Sequence, residues 1–177
     1  MIFFSSDWHC GHTNIIKYCN RPFKDLKSMD ETIIKNCNER ISENDTLFFM
    51  GDFCMTKSTE ASEAPQKAFD YYRNQIKCKN IIFIRGNHDK NNSTKTCIES
   101  IVIDFGGHRI FMTHNPKFAK KEFEWNFCGH VHGKYGKCVQ LDKNSVIVDL
   151  SVENWGYKPV NINEINQAIA EFKKEQK

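Results

Sequence analysis

The sequence Ile81-Ile82-Phe83-Ile84-Arg85-Gly86-Asn87-His88-Asp89 joins a short apolar run to a glycine and three polar side chains. An apolar run of this length predicts a strand that is covered on both faces, because such strands lack polar alternation. Asn87, His88 and Asp89 come directly after that strand. In open α/β sheets, residues just past the strand ends form the active site. The segment therefore predicts both the fold class and the place of a functional site.

Four further apolar runs end in side chains that can bind a metal ion or move a proton. Because alternate residues of an extended segment share a face, Asp7-x-His9 and His130-x-His132 can each point two ligands in one direction. Each motif alone is a common chance match, but five of the seven histidines lie in them. Five strand ends that supply Asp, Asn or His predict one shared metal centre. The four runs and the polar residues after them are 2–4 with Asp7 and His9, 47–50 with Asp52, 110–112 with His114, and 127–128 with His130 and His132.

The length and composition predict a single domain spanning residues 1–177. A chain of 177 residues can bury a substantial core, and its hydrophobic fraction of 40% is ordinary for a globular protein. The net charge of +3, from 25 basic and 22 acidic residues, is too small to indicate nucleic-acid binding. A mixed solvated surface accounts for it, so nucleic acid is not an expected partner.

Cysteine usage and the amino-terminal sequence predict a cytoplasmic protein. The eight cysteines include no Cys-x-x-Cys pair, and Cys37 and Cys128 lie inside apolar patterns, where a thiol behaves as a small hydrophobic group. The apolar residues 1–4 are followed by Asp7 too soon for a signal peptide or a membrane span. We expect reduced thiols and no membrane association. A disulfide framework or a cysteine-based zinc site is the disfavoured alternative.

The first half of the chain alternates predicted strands and helices, and the second half is mostly strand. Ser28-x-x-Glu31 predicts a capping box at the start of a helix whose inner face carries Ile33 and Cys37. Gly106-Gly107 predicts the turn of a β-hairpin. This order of elements predicts a layered α/β sandwich, in which helices flank two packed mixed β-sheets. The predicted helices cover residues 12–18, 28–41, 60–77 (helical after Pro65) and 163–175, and the predicted strands beyond the first cover 46–50, 80–84, 98–105, 109–113, 127–128, 137–141 and 146–150.

The donor set predicts a transition-metal centre. Asp, Asn and His are hard and borderline ligands that suit manganese, iron, zinc, nickel or cobalt. Mixed oxygen and nitrogen donors disfavour a site that holds only magnesium. We expect divalent ions at this centre, with manganese as the preferred metal, and no cysteine is needed as a ligand.

The order of these motifs resembles that of the calcineurin-like metallophosphoesterase superfamily. Asp-x-His, Gly-Asp, Gly-Asn-His-Asp, His and Gly-His-x-His all occur in that order between residues 7 and 132, which is most of the chain. The segments 11–16, 20–23 and 157–160 resemble a small bacterial and phage branch of this superfamily. The resemblance implies the layered sandwich and a centre that holds two metal ions.

The resemblance also implies a role for each motif residue. Asp52 would bridge the two ions. His88 would face the substrate without binding metal, and Asp89 would orient the His88 ring and fix its tautomer. Trp8, a bulky residue between the first two ligands, would either wall the pocket or pack in the core. The ligands implied for the first ion are Asp7, His9, Asp52 and His132, and those implied for the second ion are Asp52, Asn87, His114 and His130.

The expected chemistry is hydrolysis of a phosphate ester. Two ions about 3.5–4 Å apart lower the pKa of a water between them and clamp the phosphoryl oxygens, so a bridging hydroxide could be the nucleophile. Histidine titrates near neutral pH, and His88 could therefore protonate a poor alkoxide leaving group, which favours phosphodiesters over phosphomonoesters. A phosphomonoesterase and a nucleotide pyrophosphatase are the alternative enzymes, and a nuclease is less favoured. A metal-binding scaffold without catalysis is disfavoured, because every ligand and His88 are present.

Residues outside the motifs bear on the substrate, which could be a nucleotide. His12 and Arg21 are the substrate-binding candidates, although His12 could instead cap or pack, and Arg21 could instead form an ion pair or anchor a turn. Trp125 and Tyr135 could stack on a base or pack in the protein. His108 is expected in solvent at the hairpin turn. Lysine-rich loops near the site could attract phosphate or keep the surface soluble; their members are Lys117, Lys120, Lys121, Lys134 and Lys137.

Overall fold

A computed structural model of the protein describes residues 1–55, 65–91, 94 and 96–176. These residues form two β-sheets with accompanying helices. The strands are β1 (Ile2–Ser5), β2 (Thr46–Phe49), β3 (Asn80–Phe83), β4 (Ser100–Phe105), β5 (His108–Thr113), β6 (Trp125–Cys128), β7 (Cys138–Asp142), β8 (Ser145–Asp149) and β9 (Val160–Asn161). The α-helices are α1 (Thr13–Tyr18), α2 (Leu26–Arg40), α3 (Pro65–Arg73) and α4 (Ile162–Glu175). Short 3-10 helices at His88–Asn91, Pro116–Phe118 and Val152–Trp155 follow β3, β5 and β8.

Both sheets are mixed. The first has the order β3-β2-β1-β9, in which β1, β2 and β3 are parallel and β9 is antiparallel to β1. The second has the order β4-β5-β6-β8-β7, in which β5, β6 and β8 are parallel and the edge strands β4 and β7 are antiparallel to their neighbours. Parallel strands end at the same edge of a sheet, so the residues that follow them are gathered on one side.

Alternation along β1 builds a core on each face of the first sheet, because successive side chains of a strand point to opposite faces. Phe3 is buried in a cluster with Met29 and Ile33 of α2. Phe4 is buried in a second cluster with residues of the other sheet and of α4, and its ring packs edge-on against Phe127 at 5.1 Å. Helices, first sheet and second sheet are therefore stacked layers. This arrangement confirms the predicted layered α/β sandwich.

Helix α2 begins two residues before its predicted start. The predicted capping box placed Ser28 at the N-cap, but the N-cap is Asp25, whose carboxylate accepts a hydrogen bond from the Ser28 amide at 2.7 Å. Ser28 completes the box from the third helical position. The longer acidic side chain reaches the free amides of the first turn, which fixes the start at Leu26. The predicted inner face is confirmed, since Ile33 and Cys37 are fully buried.

Three aromatic predictions are settled by packing. Trp8 is fully buried, its ring lies edge-on to Phe49 at 5.2 Å, and so it packs in the core instead of walling a pocket. Trp125 is also buried and cannot stack on a base from solvent. His108, which was expected in solvent, is only partly exposed, because its ring stacks on Trp125 with the ring centroids 3.5 Å apart. Tyr135 remains exposed.

The remaining element boundaries differ from prediction by one or two residues at most strand ends, and α4 begins at Ile162. The helix predicted for residues 60–77 is described from Pro65 and ends at Arg73, and its earlier residues lie outside the described ranges. All eight cysteines are free thiols, and Cys37 and Cys128 are buried as predicted. Within the described ranges, no helix has the length and apolar character needed to cross a membrane.

Candidate metal centre

Five strands deliver the predicted ligands to one place at the carboxyl ends of the two sheets. Each ligand comes from the loop directly after its strand, so the sheet pairing sets the spacing of the loops. Each of the seven side chains lies within 3.7 Å of at least one other. Asp7 and His9 follow β1, Asp52 follows β2, Asn87 follows β3, His114 follows β5, and His130 and His132 follow β6.

Most of these ligands have a left-handed backbone, a conformation that non-glycine residues rarely adopt. Each such residue costs on the order of 1 kcal/mol or more, and this kind of strain is concentrated at functional sites. Backbone hydrogen bonds between the loops hold this conformation in place. The Asp7 amide donates to the Gly51 carbonyl and the His9 amide donates to the Asp52 carbonyl, both at 3.0 Å. The φ angles are 59° at Asp7, 52° at His9, 58° at Asp52, 75° at His130 and 51° at His132.

Two glycines let the ligand loops approach one another. A Cβ atom at Gly129 would lie 2.0 Å from Ser6 Oγ and 2.1 Å from Asp7 Oδ2. A Cβ atom at Gly86 would lie 2.0 Å from Asp52 Oδ1. Any side chain at either position would therefore displace a carboxylate of the centre. This explains why glycine stands beside the ligands in Gly-Asn-His-Asp and Gly-His-x-His.

The first group of ligand atoms surrounds Asp7 Oδ1. His9 Nε2 and His132 Nε2 each lie 3.7 Å from that oxygen, and His9 Nε2 is also 3.7 Å from Asp52 Oδ2. These separations are too long for hydrogen bonds. They suit donors arranged around one ion, because two atoms each about 2.1 Å from a metal lie about 3–4 Å apart.

The second group lies on the other side of Asp52. His114 Nε2 is 3.3 Å from Asp52 Oδ2. Asn87 Oδ1 lies 2.8 Å from His114 Nε2 and 2.7 Å from His130 Nδ1. Asp52 Oδ2 therefore borders both groups. Asp7 also lies within 4.8 Å of ligand atoms of Asp52 and His114.

The residues present fit divalent cations. Among the described residues, Asp7 Oδ1 and both ring nitrogens of His9 are buried without a hydrogen-bond partner. An unpaired buried polar atom typically costs about 1–3 kcal/mol, and a bound cation would satisfy Asp7 Oδ1 and His9 Nε2 together. Carboxylate and imidazole donors in one cluster are also the ligands that borderline divalent metals prefer.

The electrostatics of the cluster favour positive charge. Burial raises the pKa of Asp7, but the adjacent imidazoles of His9, His114 and His132 outweigh it and hold that pKa far below its usual range. Burial lowers the pKa of His114, but Asp52 and Asp7 outweigh it and raise that pKa to about 9. Burial raises the pKa of Asp52, but His114 outweighs it and lowers that pKa. The carboxylates of Asp7 and Asp52 are therefore ionised at neutral pH and attract cations.

His88 and His12 stand beside the first group of ligands. The His88 ring is exposed, and its centroid lies 5.2 Å from that of His9. The His88 amide donates to Asp52 Oδ1 at 2.9 Å, which fixes the loop relative to the centre. The half-buried His12 ring lies 5.5 Å from His9 and 6.3 Å from His88. Both side chains can therefore reach a molecule that approaches the ligands.

The role expected for Asp89 needs correction. Among the described residues, the hydrogen bonds of its carboxylate run to the backbone amides of Gly86 at 2.8 Å and Asp52 at 3.0 Å, and not to the ring of His88. Asp89 is buried and ties the β2 loop to the β3 loop. Because backbone amides of both loops donate to Asp89 Oδ2, Asp89 positions the ligand-bearing loops.

The substrate role expected for Arg21 also needs correction. Its side chain is fully buried and all five of its N–H groups have acceptors. Nε and one terminal nitrogen donate to Glu153 Oε1 at 2.9 and 2.7 Å, and that same terminal nitrogen donates to the Asp7 carbonyl at 2.7 Å. The other donates to the Trp8 carbonyl at 2.8 Å and to Met29 Sδ at 3.3 Å. No donor remains for a phosphate.

Sequence reasoning missed Glu153. Its carboxylate oxygen Oε1 lies 2.9 Å from His132 Nδ1, on the side of that ring opposite the ligand cluster. A weak signal was present, because residues 146–148 form a further apolar run, and the polar residues Asp149, Ser151 and Glu153 come shortly after it. The Ser151 hydroxyl also reaches Asp7 Oδ2, at 3.3 Å.

Three of the five lysines in the lysine-rich loops lie against aromatic rings. Lys120 Nζ is 4.8 Å from the ring of Phe111, and Lys137 Nζ is 4.8 Å from the ring of Trp155. Lys134 Nζ is 5.4 Å from the ring of Tyr135. Cation–π contacts of this kind hold an ammonium group at the surface.

Comparisons with known proteins show the family and the fold. A family model for calcineurin-like phosphoesterases matches residues 1–166. The uncharacterised protein MJ1445 of Methanocaldococcus jannaschii is 34% identical over 180 residues, which cover 97% of this chain and 93% of that protein.

Two solved structures show the fold. The crystal structure of AQ665 from Aquifex aeolicus, a protein of unknown function, aligns with a TM-score of 0.73 at 24% identity and covers 95% of this chain and 98% of that chain. The crystal structure of the Pseudomonas putida nuclease MPE aligns with a TM-score of 0.53 at 19% identity, over 84% of this chain and 74% of that chain. With the family match over most of its length, the chain belongs to the calcineurin-like phosphoesterase family.

Proposed function

We propose that this protein is a two-metal phosphoesterase that hydrolyses phosphodiester bonds. The observation that carries the proposal is the position of Asp52 Oδ2, which lies 3.7 Å from His9 Nε2 in one ligand group and 3.3 Å from His114 Nε2 in the other. A carboxylate oxygen between two sets of donors suits two ions that share one ligand. Manganese is the metal we propose, and iron, nickel, zinc or cobalt suit the same donors.

Two divalent ions bound here would supply Lewis acidity toward the phosphoryl oxygens and the attacking water. The chain itself supplies the rest of the site. Asp7, His9, Asp52 and His132 would hold the first ion, and Asp52, Asn87, His114 and His130 the second. Asp89 holds the loop of Asp52 against Gly86 through its two amide hydrogen bonds.

His88 is the residue we propose as proton donor. Its ring is exposed beside the ligands, while its amide is anchored on Asp52 Oδ1 at 2.9 Å. An imidazolium in this place can donate a proton to the leaving oxygen of a bound ester. That step matters most when the leaving group is a poor alkoxide, as in an unactivated phosphodiester. The exposure of His88 therefore supports a diester substrate, and a phosphomonoester is the alternative.

His12 is the residue we propose for substrate contact. Its half-buried ring lies within 6.3 Å of the His88 ring and within 5.5 Å of the His9 ring, so a leaving group next to His88 would also meet His12. A nucleotide is one leaving group of suitable size. We also propose a cytoplasmic location, which the eight free thiols support.

The test compares Mn²⁺-loaded protein on a nitrophenyl diester and the matching monoester, and then on an unactivated diester such as a cyclic nucleotide. We expect faster turnover of the diester. His88→Gln should lose about 10²-fold or more in kcat on the unactivated ester while retaining both ions. His108→Gln is the matched control, because His108 packs on Trp125 away from the ligands.

Monoester turnover equal to or above diester turnover would reverse the proposed preference. Full activity of His88→Gln on the unactivated ester would remove His88 from the mechanism. If wild-type protein with two bound ions hydrolyses neither ester, the phosphoesterase assignment fails and a metal-binding scaffold becomes the better explanation.

A further inference from the structure

We propose that Arg21 and Glu153 form a buried ion pair that positions the ligands of the first metal ion and sets the affinity of that position alone. This inference rests on the two-ion centre proposed above. Both residues lie outside the proposed ligand set.

Glu153 faces the ring nitrogen of His132 that points away from the ligand cluster. His132 Nδ1 lies 2.9 Å from Glu153 Oε1, while His132 Nε2 lies 3.7 Å from Asp7 Oδ1. When Nδ1 donates its proton to the carboxylate, the lone pair of Nε2 is directed at the first metal position. Carboxylates behind metal-binding histidines act in this way, and their loss typically lowers metal affinity about 10–100-fold.

Arg21 joins this carboxylate to the loop of the first two ligands. It donates to Glu153 Oε1 through two nitrogens, and it donates to the carbonyls of Asp7 and Trp8 at 2.7 and 2.8 Å. Asp7 has a left-handed backbone, with φ of 59°. Arg21 thereby fixes the strained segment that carries Asp7 and, through Glu153, the ring of His132. Two loops that are more than a hundred residues apart in sequence are held to one guanidinium.

A buried ion pair is an expensive way to stabilise a fold. Removing two charges from water costs several kcal/mol per ion, and well-packed apolar side chains are often as stabilising. The Glu153 carboxylate is 11% exposed and the Arg21 side chain is fully buried. The geometric gain is specific, since a planar guanidinium and a carboxylate define directions that apolar packing does not. We therefore infer that the role of the pair is to position the metal ligands.

The contacts of the pair are confined to one side of the centre. Within the described part of the chain, Arg21 and Glu153 touch Asp7 and His132, which belong to the first group, and none of the hydrogen bonds of either residue reaches Asn87, His114 or His130. In the second group, His114 Nδ1 instead faces the Met50 carbonyl at 2.7 Å. Breaking the pair should therefore weaken one metal position and spare the other.

Cys19, His132 and Glu153 also lie close enough together to hold a metal ion between them. The guanidinium of Arg21 stands 2.7 Å from the same carboxylate oxygen, however, and its positive charge opposes a cation there. The carboxylate is better explained as the partner of Arg21 and His132.

The experiment measures Mn²⁺ binding without substrate, in wild-type protein and in Glu153→Gln, Glu153→Ala and Arg21→Lys. Calorimetric titration gives the affinity of each position, and electron paramagnetic resonance distinguishes a spin-coupled ion pair from a single ion. Anomalous diffraction at limiting Mn²⁺ identifies which position is filled. The matched control is Glu164→Gln, which breaks the partly buried Arg40–Glu164 ion pair away from the centre.

We expect Glu153→Ala to lower the Mn²⁺ affinity of the first position about 10–100-fold and to leave the affinity of the second position unchanged. Glu153→Gln and Arg21→Lys should have smaller effects in the same direction, because an amide oxygen can still accept from His132 and a lysine keeps the charge without the five donors. At an intermediate Mn²⁺ concentration, wild-type protein should show the signal of a spin-coupled ion pair, and Glu153→Ala should show the signal of a single ion. Glu164→Gln should bind both ions normally.

Unchanged binding at both positions in folded Glu153→Ala, with folding checked by circular dichroism, would overturn the proposal. An equal loss at both positions would overturn it too. If Glu153→Ala does not fold, the same outcomes apply to Glu153→Gln. A wild-type protein that binds one ion at Asn87 and His114, and none at His132, would also refute it. Failure of catalysis with both ions bound would sink the proposed function and leave this inference intact, since no readout here is turnover.

Discussion

The buried Asp30 carboxylate should make the free energy of unfolding depend on pH. The carboxylate lies under the loop that follows His9, where both oxygens accept from the Gly11 amide at 3.1 and 3.3 Å and one accepts from the Tyr72 hydroxyl at 2.9 Å. Burial raises the pKa of Asp30 from 3.8 to about 6, against the lowering effect of these hydrogen bonds. The folded state therefore binds the proton more tightly than the unfolded state does.

The linkage between proton binding and folding gives the sign and size of this pH dependence. The protonated carboxyl stabilises the folded protein fully below pH 3.8, and this contribution is lost as the pH rises through about 6. A shift of about 2 pH units corresponds to about 3 kcal/mol at most. Asp30→Asn keeps the shape and an acceptor for Gly11 but cannot ionise. The free energy of unfolding of the variant, relative to wild type, should therefore rise by up to about 3 kcal/mol between pH 4 and pH 7.

Urea unfolding of metal-free wild-type and Asp30→Asn protein, at half-unit steps from pH 4 to pH 7.5, measures this difference directly. Only the change with pH is diagnostic, because any constant cost of the substitution cancels. Tyr72→Phe is a useful second variant, since it removes a hydrogen bond to the carboxylate and should raise the Asp30 pKa further. A difference between Asp30→Asn and wild type that is flat across this range, or that falls with pH, would refute the reasoning.

Other predictions concern the metal centre. Mn²⁺ at 100 times its dissociation constant should stabilise the fold by about 2.7 kcal/mol. For a chain of this size, that is a rise in Tm of about 5–10 °C, which a chelator should reverse. A Tm that does not change with Mn²⁺ would contradict the proposed site. Asp52→Asn should lower affinity at both positions, because Asp52 Oδ2 borders both groups, whereas loss of a single ion in calorimetry would argue against a bridge. Gly129→Ala should abolish binding at the first position, since its Cβ would lie 2.1 Å from Asp7 Oδ2. Gly136→Ala is its control: the space around Gly136 is open, so the alanine should leave metal binding unchanged, and its only cost should be the strain of a positive φ of 77°.

The strand ends could be predicted from sequence because two independent signals coincide there. An apolar run such as residues 81–84 marks a buried strand, and a glycine with ligand-type residues marks its exit. Helix ends were less certain, because the local signal is ambiguous. Ser28 and Asp25 are both good N-cap residues, and only the structure shows that Asp25 takes that position.

The role of Arg21 could not be predicted, because it depends on partners far away in the sequence. A phosphate and the Glu153 carboxylate are equally good acceptors for a guanidinium, and the choice is made by a fold that brings residue 153 against residue 21. Glu153 itself carries no motif. Trp125 likewise stacks on the ring of His108 from the neighbouring strand, a contact that composition does not reveal.

The left-handed backbone at Asp7, His9, Asp52, His130 and His132 has a consequence for protein engineering. These five positions constrain the main chain as well as the side chain, so the centre cannot be transplanted by copying side chains onto regular strands or helices. A recipient scaffold would need five turns of the same hand at the ends of neighbouring strands. For the same reason, replacing one of these ligands by glycine should leave a more stable protein than replacing it by alanine, because glycine adopts this conformation without strain. Loss of the metal and loss of the fold can thus be separated at each position by comparing these two substitutions.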